Sequence, residues 1–282
     1  MATLINGKEV AQKIRQEIKA KVSNLEVKPS LVVIIVGNNP ASKVYVGMKE
    51  KAAQEVGINS TTIRLDESIS QQELENKIEE LNQDKSVNAI LVQLPLPRHI
   101  NTDAIIQKID PQKDVDGFHP VNMGKLITGI TPDAVPCTPA GVMKLLEEYN
   151  IDIEAKNAVV VGRSNIVGKP ISILLLDKNA TVTICHSRTK NLKEITSQAD
   201  ILIAAVGRPE LIKGDFVKEG AVVIDVGVNR TEEGKLVGDV DFKEVEPKAS
   251  YITPVPGGVG PMTIAMLLSN TLNLYKRQIQ KS

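Results

Sequence analysis

Apolar residues recur every four positions at Val10, Ile14, Ile18 and Val22, which places them on one face of an N-terminal helix. Leu31–Gly37 reads LVVIIVG, a continuous apolar run of the kind found in strands buried on both faces. A helical stretch from about Ala41 to Val56 follows, and Gly57 stands where a left-handed residue closes a helix. Thr61–Leu65 predicts a second strand, Gln71–Gln83 a helix, and Ala89–Leu94 a third buried strand stopped by the PLP that begins at Pro95 with Leu94 before it. Asn101–Ile109 reads as a short helix punctuated by Pro111. Strand and helix thus alternate three times before residue 110, which implies parallel strands with helices on both faces.

Residues 110–139 break that pattern. They are rich in Pro, Gly and Asp with little periodicity, and so long an irregular stretch predicts a functional segment or an interdomain crossing. Thr138 followed by Pro139 predicts an N-cap and a first helical position, opening a helix to about Tyr149. A second alternating series starts at Ala158, with strands at AVVVG, TVTIC, ILIAAVG and AVVIDVG, and Tyr251–Ile252 as a further candidate. The last helix, about Pro261–Gln280, follows a PGGVG loop. These patterns predict two α/β domains: an N-terminal parallel-sheet domain over residues 1–140 and a Rossmann-type domain over residues 141–262.

Composition narrows the function. A length of 282 residues suits two domains at roughly 150 residues each. Lys plus Arg and Asp plus Glu both number 34, so there is no excess charge for coating nucleic acid or binding a membrane surface. Aromatic residues make up 2% and Trp is absent, which argues against extended stacking surfaces and makes the core aliphatic. No apolar run approaches the roughly 18 residues of a membrane span. Glu9 and Glu17 set the basic N-terminal helix apart from a targeting peptide. Cys137 and Cys185 have no CxxC spacing, so neither a disulfide framework nor a metal site is expected, and a reducing cytosol fits.

Asn157–Pro170 (NAVVVGRSNIVGKP) reads as a strand, a glycine turn and a helix start. The dinucleotide fingerprint GxGxxG is altered: Ser164 replaces the second glycine, and one residue is added before Gly168. Gly162 allows the tight turn, the helix N-terminus attracts pyrophosphate, Ser164 adds a hydroxyl and Arg163 a charge. The other reading is an ordinary strand-to-helix turn. The next strand ends at His186-Ser187-Arg188-Thr189, where an NAD site would place an acid for the ribose hydroxyl. Ser187 and Arg188 favour a 2′-phosphate instead, so the expected cofactor is NADP, against the alternative of Arg188 as a solvated loop residue. His186 is given no catalytic role.

Tyr45 and Lys49 are spaced i, i+4 and share a helix face, so a phenol and an amine can together position a flat substrate and move protons. The plainer alternatives are a half-buried tyrosine and a solvated lysine. Gln93 ends the third strand and points its amide at the carboxyl edge, or caps the strand. Asp114 and Asp116 precede Gly117; the stretch lacks the glutamate and length of an EF-hand, so turn stabilisation competes with ligand binding. PVPGGVGPMT (Pro254–Thr263) brings backbone N–H groups close to a ligand and then opens a helix.

Seven blocks, ASKVYVGMKEKAAQEVGI, ILVQLPLP, DPQKDVDGFHPVNMGKL, PCTPAGV, VVVGRSNIVGKP, CHSRT and PVPGGVGPMT, run in order from Ala41 to Thr263. In them the chain closely resembles the bifunctional methylenetetrahydrofolate dehydrogenase/methenyltetrahydrofolate cyclohydrolase family, over nearly its whole length. The one departure is Ala134, where the family often has an aromatic residue. The resemblance implies Lys49 as general acid/base of the cyclohydrolase step, Tyr45 stacking on the folate, Gln93 hydrogen-bonding near Lys49, and Asp116 binding the pterin. It implies that the loop bearing Pro256, Gly257, Gly258 and Thr263 lies between folate and nicotinamide. Gly162, Arg163, Ser164, Ser187 and Val228 line the dinucleotide site on the same basis. It further implies a folate substrate, a cleft between the domains, a homodimer, and a C-terminal helix (263–282) packed on the first domain.

Three other readings compete. Another two-domain NADP oxidoreductase, acting on a shikimate-like acid, gives no reason for VQLPLP and PVPGGVGPMT to occur together. A folate- or nucleotide-binding regulator would be expected to lose Lys49 or Asp116. A dehydrogenase without the hydrolase step tends, by family analogy, to lack the lysine.

Overall fold

A computed structural model describes residues 1–231 and 233–280. The chain opens with β1 (Thr3–Leu4), α1 (Gly7–Ser23) and β2 (Ser30–Val36). Next come α2 (Pro40–Val56), β3 (Asn59–Leu65), α3 (Gln71–Gln83), β4 (Ala89–Val92), α4 (Thr102–Lys108) and α5 (Pro120–Ile127). The periodic face of α1 is buried at Val10, Ile14, Ile18 and Val22. Helix α2 starts one residue earlier than the pattern predicts. Asn39 accepts from Ser42 N at 3.1 Å and Pro40 takes the first position, where its missing N–H costs nothing. Gly57, at φ 80°, closes the helix as expected. Helix α3 carries a complete capping box between Ser70 and Glu73.

The sequence pattern leaves residues 110–139 irregular, but α5 lies inside them. His119 Nδ1 accepts from Val121 N at 3.1 Å and Pro120 again stands first. Eight residues containing a glycine are too short a window for the helical period to show.

After α6 (Cys137–Glu148) come β5 (Asn157–Val161), α7 (Gly168–Leu176), β6 (Thr181–Cys185), α8 (Leu192–Thr196), β7 (Ile201–Ala204) and β8 (Val222–Asp225). A small ribbon of β9 (Asn229–Arg230) and β10 (Leu236–Val237), α9 (Phe242–Val245), β11 (Tyr251–Ile252) and α10 (Val259–Ile279) complete it. Two helix starts depart from expectation. Helix α6 opens at Cys137, and Thr138, instead of capping, brings its Oγ1 within 2.9 Å of Thr263 Oγ1. Helix α10 opens at Val259, because a proline in the first turn displaces no hydrogen bond.

The chain divides into two compact units, each discontinuous in sequence: Gln12–Cys137 with Ile264–Ser282, and Met1–Ala11 with Thr138–Thr263. The boundaries fall within α1, α6 and α10. The first unit holds the parallel sheet β3-β2-β4, on which Asp114 adds one parallel bridge to Ile90. Val32, Ile34, Leu74, Ile78, Ile90 and Ile105 form the centre of its core.

The second unit holds a six-stranded, all-parallel sheet in the order β6-β5-β7-β8-β11-β1. Counted from β5, its first five strands run 2-1-3-4-5, the doubly wound order with the switch point between β5 and β7. Nothing in the local pattern announces β1. Thr3 and Leu4 pair with Tyr251 and Ile252, and the first eleven residues belong to this unit and not to the first. Its core is aliphatic: Val159, Val161, Leu202, Val223 and Ile252 are all buried.

Candidate active site

Within α2 the buried positions are Ser42, Val46, Lys49, Ala52, Ala53 and Val56. Lys49 therefore occupies a core position on an otherwise small and apolar stripe. Its side chain is 9% exposed, and its amine needs a partner there. Gln93, the residue after β4, supplies one. Its backbone N donates to Ile34 O at 2.8 Å, continuing the sheet by one rung. Its Oε1 accepts from Lys49 Nζ at 3.0 Å, and its Nε2 donates to Leu94 O at 2.7 Å. The amide is oriented from both ends and presents its oxygen to the amine. Tyr45, one turn earlier, is 40% exposed, so its ring is not a core side chain.

Asp116 completes this group. It is half-buried, and its pKa is pushed up to about 6. Burial is the main cause, the Lys49 ammonium pulls the other way, and the Asp114 carboxylate adds to the rise. The structure thus brings Lys49, Gln93 and Asp116 together.

Asp114 has the plainer role. It is buried, and its carboxylate accepts from Gly117 N at 3.1 Å, His119 N at 2.8 Å and Asn122 Nδ2 at 3.0 Å. It fixes the turn that carries Asp116. Two participants had no sequence signal. Cys137 Sγ lies 3.9 Å from Asp116 Oδ1, in a setting that raises its thiol pKa well above the ordinary value, chiefly through burial. Asn270, on α10, donates from Nδ2 to Val115 O and Val135 O, each at 2.9 Å. It thereby ties the residue before Asp116 to the segment before Cys137. Ala134, the departure from the family pattern, is buried beside that segment.

In the second unit the turn after β5 is fixed by Gly162, at φ 137°. A Cβ there would stand 2.2 Å from Ala205 O, so the turn passes against the strand end too closely for any side chain. Ser164 Oγ accepts from Val167 N at 3.1 Å and Gly168 N at 3.3 Å, which caps α7 and leaves its O–H free to donate outward. Arg163 and Ser164 are exposed. After β6, His186 N donates to Thr189 Oγ1 at 2.8 Å and Arg188 N to His186 Nδ1 at 3.1 Å. His186 is thus used by the turn itself. Ser187 and Arg188 project from that turn, exposed, and among the described residues no carboxylate bridges Arg188.

Val228, 46% exposed, sits between two loops pinned by buried carboxylates. Asp239 accepts from Val206 N at 2.6 Å, Gly207 N at 3.0 Å, Arg208 N at 2.9 Å and Asn229 Nδ2 at 2.9 Å. Asp225 accepts from Gly227 N, Asp239 N and Val240 N, all at 2.9 Å, and burial pushes its pKa up to about 7. The segment Pro254–Thr263, a loop that runs into α10, belongs to the same unit. Gly258 N donates back to Pro254 O at 2.8 Å, closing it on itself.

Both halves of the chain match one family. The catalytic-domain model of tetrahydrofolate dehydrogenase/cyclohydrolase matches residues 5–116, and the NAD(P)-binding-domain model matches residues 136–279. The chain belongs to the tetrahydrofolate dehydrogenase/cyclohydrolase family. Among its relatives is the bifunctional protein FolD of Streptococcus agalactiae serotype Ia, 59% identical over 283 residues and covering 99% of each chain. The crystal structure of the bifunctional enzyme FolD of Campylobacter jejuni matches with TM-score 0.96 and 54% identity, over 98% of this chain and all 100% of that one. The methylenetetrahydrofolate dehydrogenase-cyclohydrolase of Trypanosoma brucei, solved with NADP cofactor and inhibitor, matches with TM-score 0.95 and 42% identity over 99% of both chains. The sequence expectation of a two-domain α/β member of this family is met.

Proposed function

We propose that this chain catalyses two consecutive reactions on a one-carbon folate. The first is NADP-dependent oxidation of 5,10-methylenetetrahydrofolate to 5,10-methenyltetrahydrofolate. The second is hydrolysis of that cation to 10-formyltetrahydrofolate. The observation that carries the two-step reading over a dehydrogenase alone is the Lys49 amine, at a core position and held 3.0 Å from Gln93 Oε1. A dehydrogenase alone has no need of a buried, oriented proton carrier.

The donor set of the second unit fits NADP. Gly162 lets the backbone turn sharply, the α7 N-terminus and Ser164 meet the pyrophosphate, and Arg188 with Ser187 meets a 2′-phosphate. When bound, the nicotinamide supplies the hydride acceptor. The chain's own part in that step is to hold the folate: Tyr45 flanks its ring and Asp116 accepts from the pterin. Pro256, Gly257, Gly258 and Thr263 are assigned to substrate contact on the family resemblance. Val228 limits how the nicotinamide is placed.

In the hydrolytic step water adds to the bridge carbon and gives up a proton to Lys49 Nζ. The carbon–N5 bond then breaks: N5 takes that proton back from Lys49 as it leaves, and the hydroxyl proton passes to solvent as the formyl carbonyl forms, so one proton is released overall. Gln93 keeps the amine aimed through this exchange. A cytosolic homodimer is the form we assign to the enzyme, on the same family grounds.

One assay tests the whole reading: protein, methylenetetrahydrofolate and NADP, with NADPH and methenyl absorbance followed together. NADPH without lasting methenyl accumulation is expected. Accumulating methenyl would reduce the chain to a dehydrogenase, and neither signal would leave only a binding protein.

A further inference from the structure

The N-terminal segment runs beside β11 and then meets the loop that follows it, all within the second unit. Thr3 N donates to Ser250 O at 2.8 Å, Ile5 N to Ile252 O at 2.9 Å, and Lys8 N to Gly257 O at 3.0 Å. Between them, Asn6 N donates to the Tyr149 hydroxyl at 2.7 Å. The Tyr149 ring in turn meets Tyr251 edge to face, centroids 6.3 Å apart. The tightest point is Gly7. A Cβ there would stand 1.9 Å from Gly258 O and 2.7 Å from Gly258 C. Ordinary C···O contact begins at about 3.3 Å, so loop and helix would have to part by more than an ångström.

We propose that Gly7 is a positioning residue for the dehydrogenase reaction, and that the segment Thr3–Lys8 is the strap that sets the height of the Pro254–Gly260 loop against the substrate. This rests on the reading that the loop contacts the folate. The strap acts on two successive residues. Lys8 N takes up the Gly257 carbonyl, which ties the loop backbone to the start of α1. Gly7 lets Gly258 approach the start of α1 with nothing between them. Gly7 is also the first residue of α1, where alanine is the better helix former. A Gly7→Ala change therefore favours the helix, and its conflict is with the loop alone.

The experiment compares wild type, Gly7→Ala, Tyr149→Phe and Gly124→Ala with methylenetetrahydrofolate and NADP. Gly124 is the control, since a Cβ there meets nothing within 4 Å. For Gly7→Ala, dehydrogenase kcat is expected to fall and folate KM to rise, together about tenfold to a hundredfold in kcat/KM, as an ångström of misplacement costs. NADP affinity should stay within about twofold, because its turns are untouched. Tyr149→Phe keeps the ring but removes the hydroxyl, and should shift folate KM the same way by roughly threefold, near the worth of one neutral hydrogen bond. Gly124→Ala should match wild type.

Unchanged kcat and folate KM in Gly7→Ala would overturn the proposal. So would loss of activity only in proportion to the folded fraction, with KM unmoved, which would make Gly7 a stability residue. If Gly7→Ala does not fold, Tyr149→Phe decides by the same KM criterion. A wild-type protein inactive in this assay would instead defeat the functional reading itself.

Discussion

Lys49 and Gln93 meet across 3.0 Å although 44 residues separate them, one on a helix face and the other at a strand end. The bond joins the element that carries Tyr45 to the edge from which the chain descends towards Asp116. It fixes the direction of the amine of a lysine at a core position.

Lys49→Gln keeps a polar side chain but cannot carry a proton. Methenyl hydrolysis should fall by roughly a hundredfold or more, the range of general acid–base catalysis. NADP should still bind, as its residues lie in the other unit. Wild-type methenyl hydrolysis in this variant would sink the assignment.

The Asp116 carboxyl, with its pKa near 6, sets an acid limb. Above that pH it is an anion, which in the proposed role accepts from the pterin, and below it the neutral acid has lost that charge. Folate affinity should therefore decline as pH falls through about 6, and Asp116→Asn should abolish the limb while binding weakly throughout. A wild-type profile flat from pH 5 to pH 7.5 would contradict this.

Arg188→Ala should weaken NADP far more than NAD. The guanidinium is exposed, so the effect is set at about tenfold and should shrink with added salt. Titration of both cofactors against wild type and variant measures it, and equal losses would refute the role.

Asp239→Ala removes an acceptor that serves four N–H groups from two loops. Their desolvation is then uncompensated, and the second unit should lose about 3 kcal/mol or more. Urea titration by near-UV absorbance of Tyr149 and Tyr251 would record the shift in midpoint. A midpoint within error of wild type would show that water replaces the carboxylate.

Local pattern made most of the elements legible. The apolar stripe of α1, the run at β2 and the Ser70–Glu73 box each lie within a few consecutive residues, where periodicity and capping act. What stayed hidden was non-local. Two residues of β1 have no pattern of their own and become a strand only beside Tyr251 and Ile252. Thr138 looked like a cap, but its hydroxyl is engaged by Thr263. The family blocks pointed to Lys49, Gln93 and Asp116, yet the supports beneath them were illegible. Asn270 reaches Val115 from 155 residues away, and no spacing rule spans that distance.

The pairing of Thr3 with Tyr251 also orders events during synthesis. Residues 3 and 4 are made about 250 residues before the strand they pair with. Until Tyr251 emerges, the start of the chain has no sheet to join, and Asn270 follows later still to secure the turn that bears Asp116. Neither unit is therefore complete until residues beyond 250 have been made. A nascent chain paused before residue 250 should be proteolysed at its beginning, not its middle.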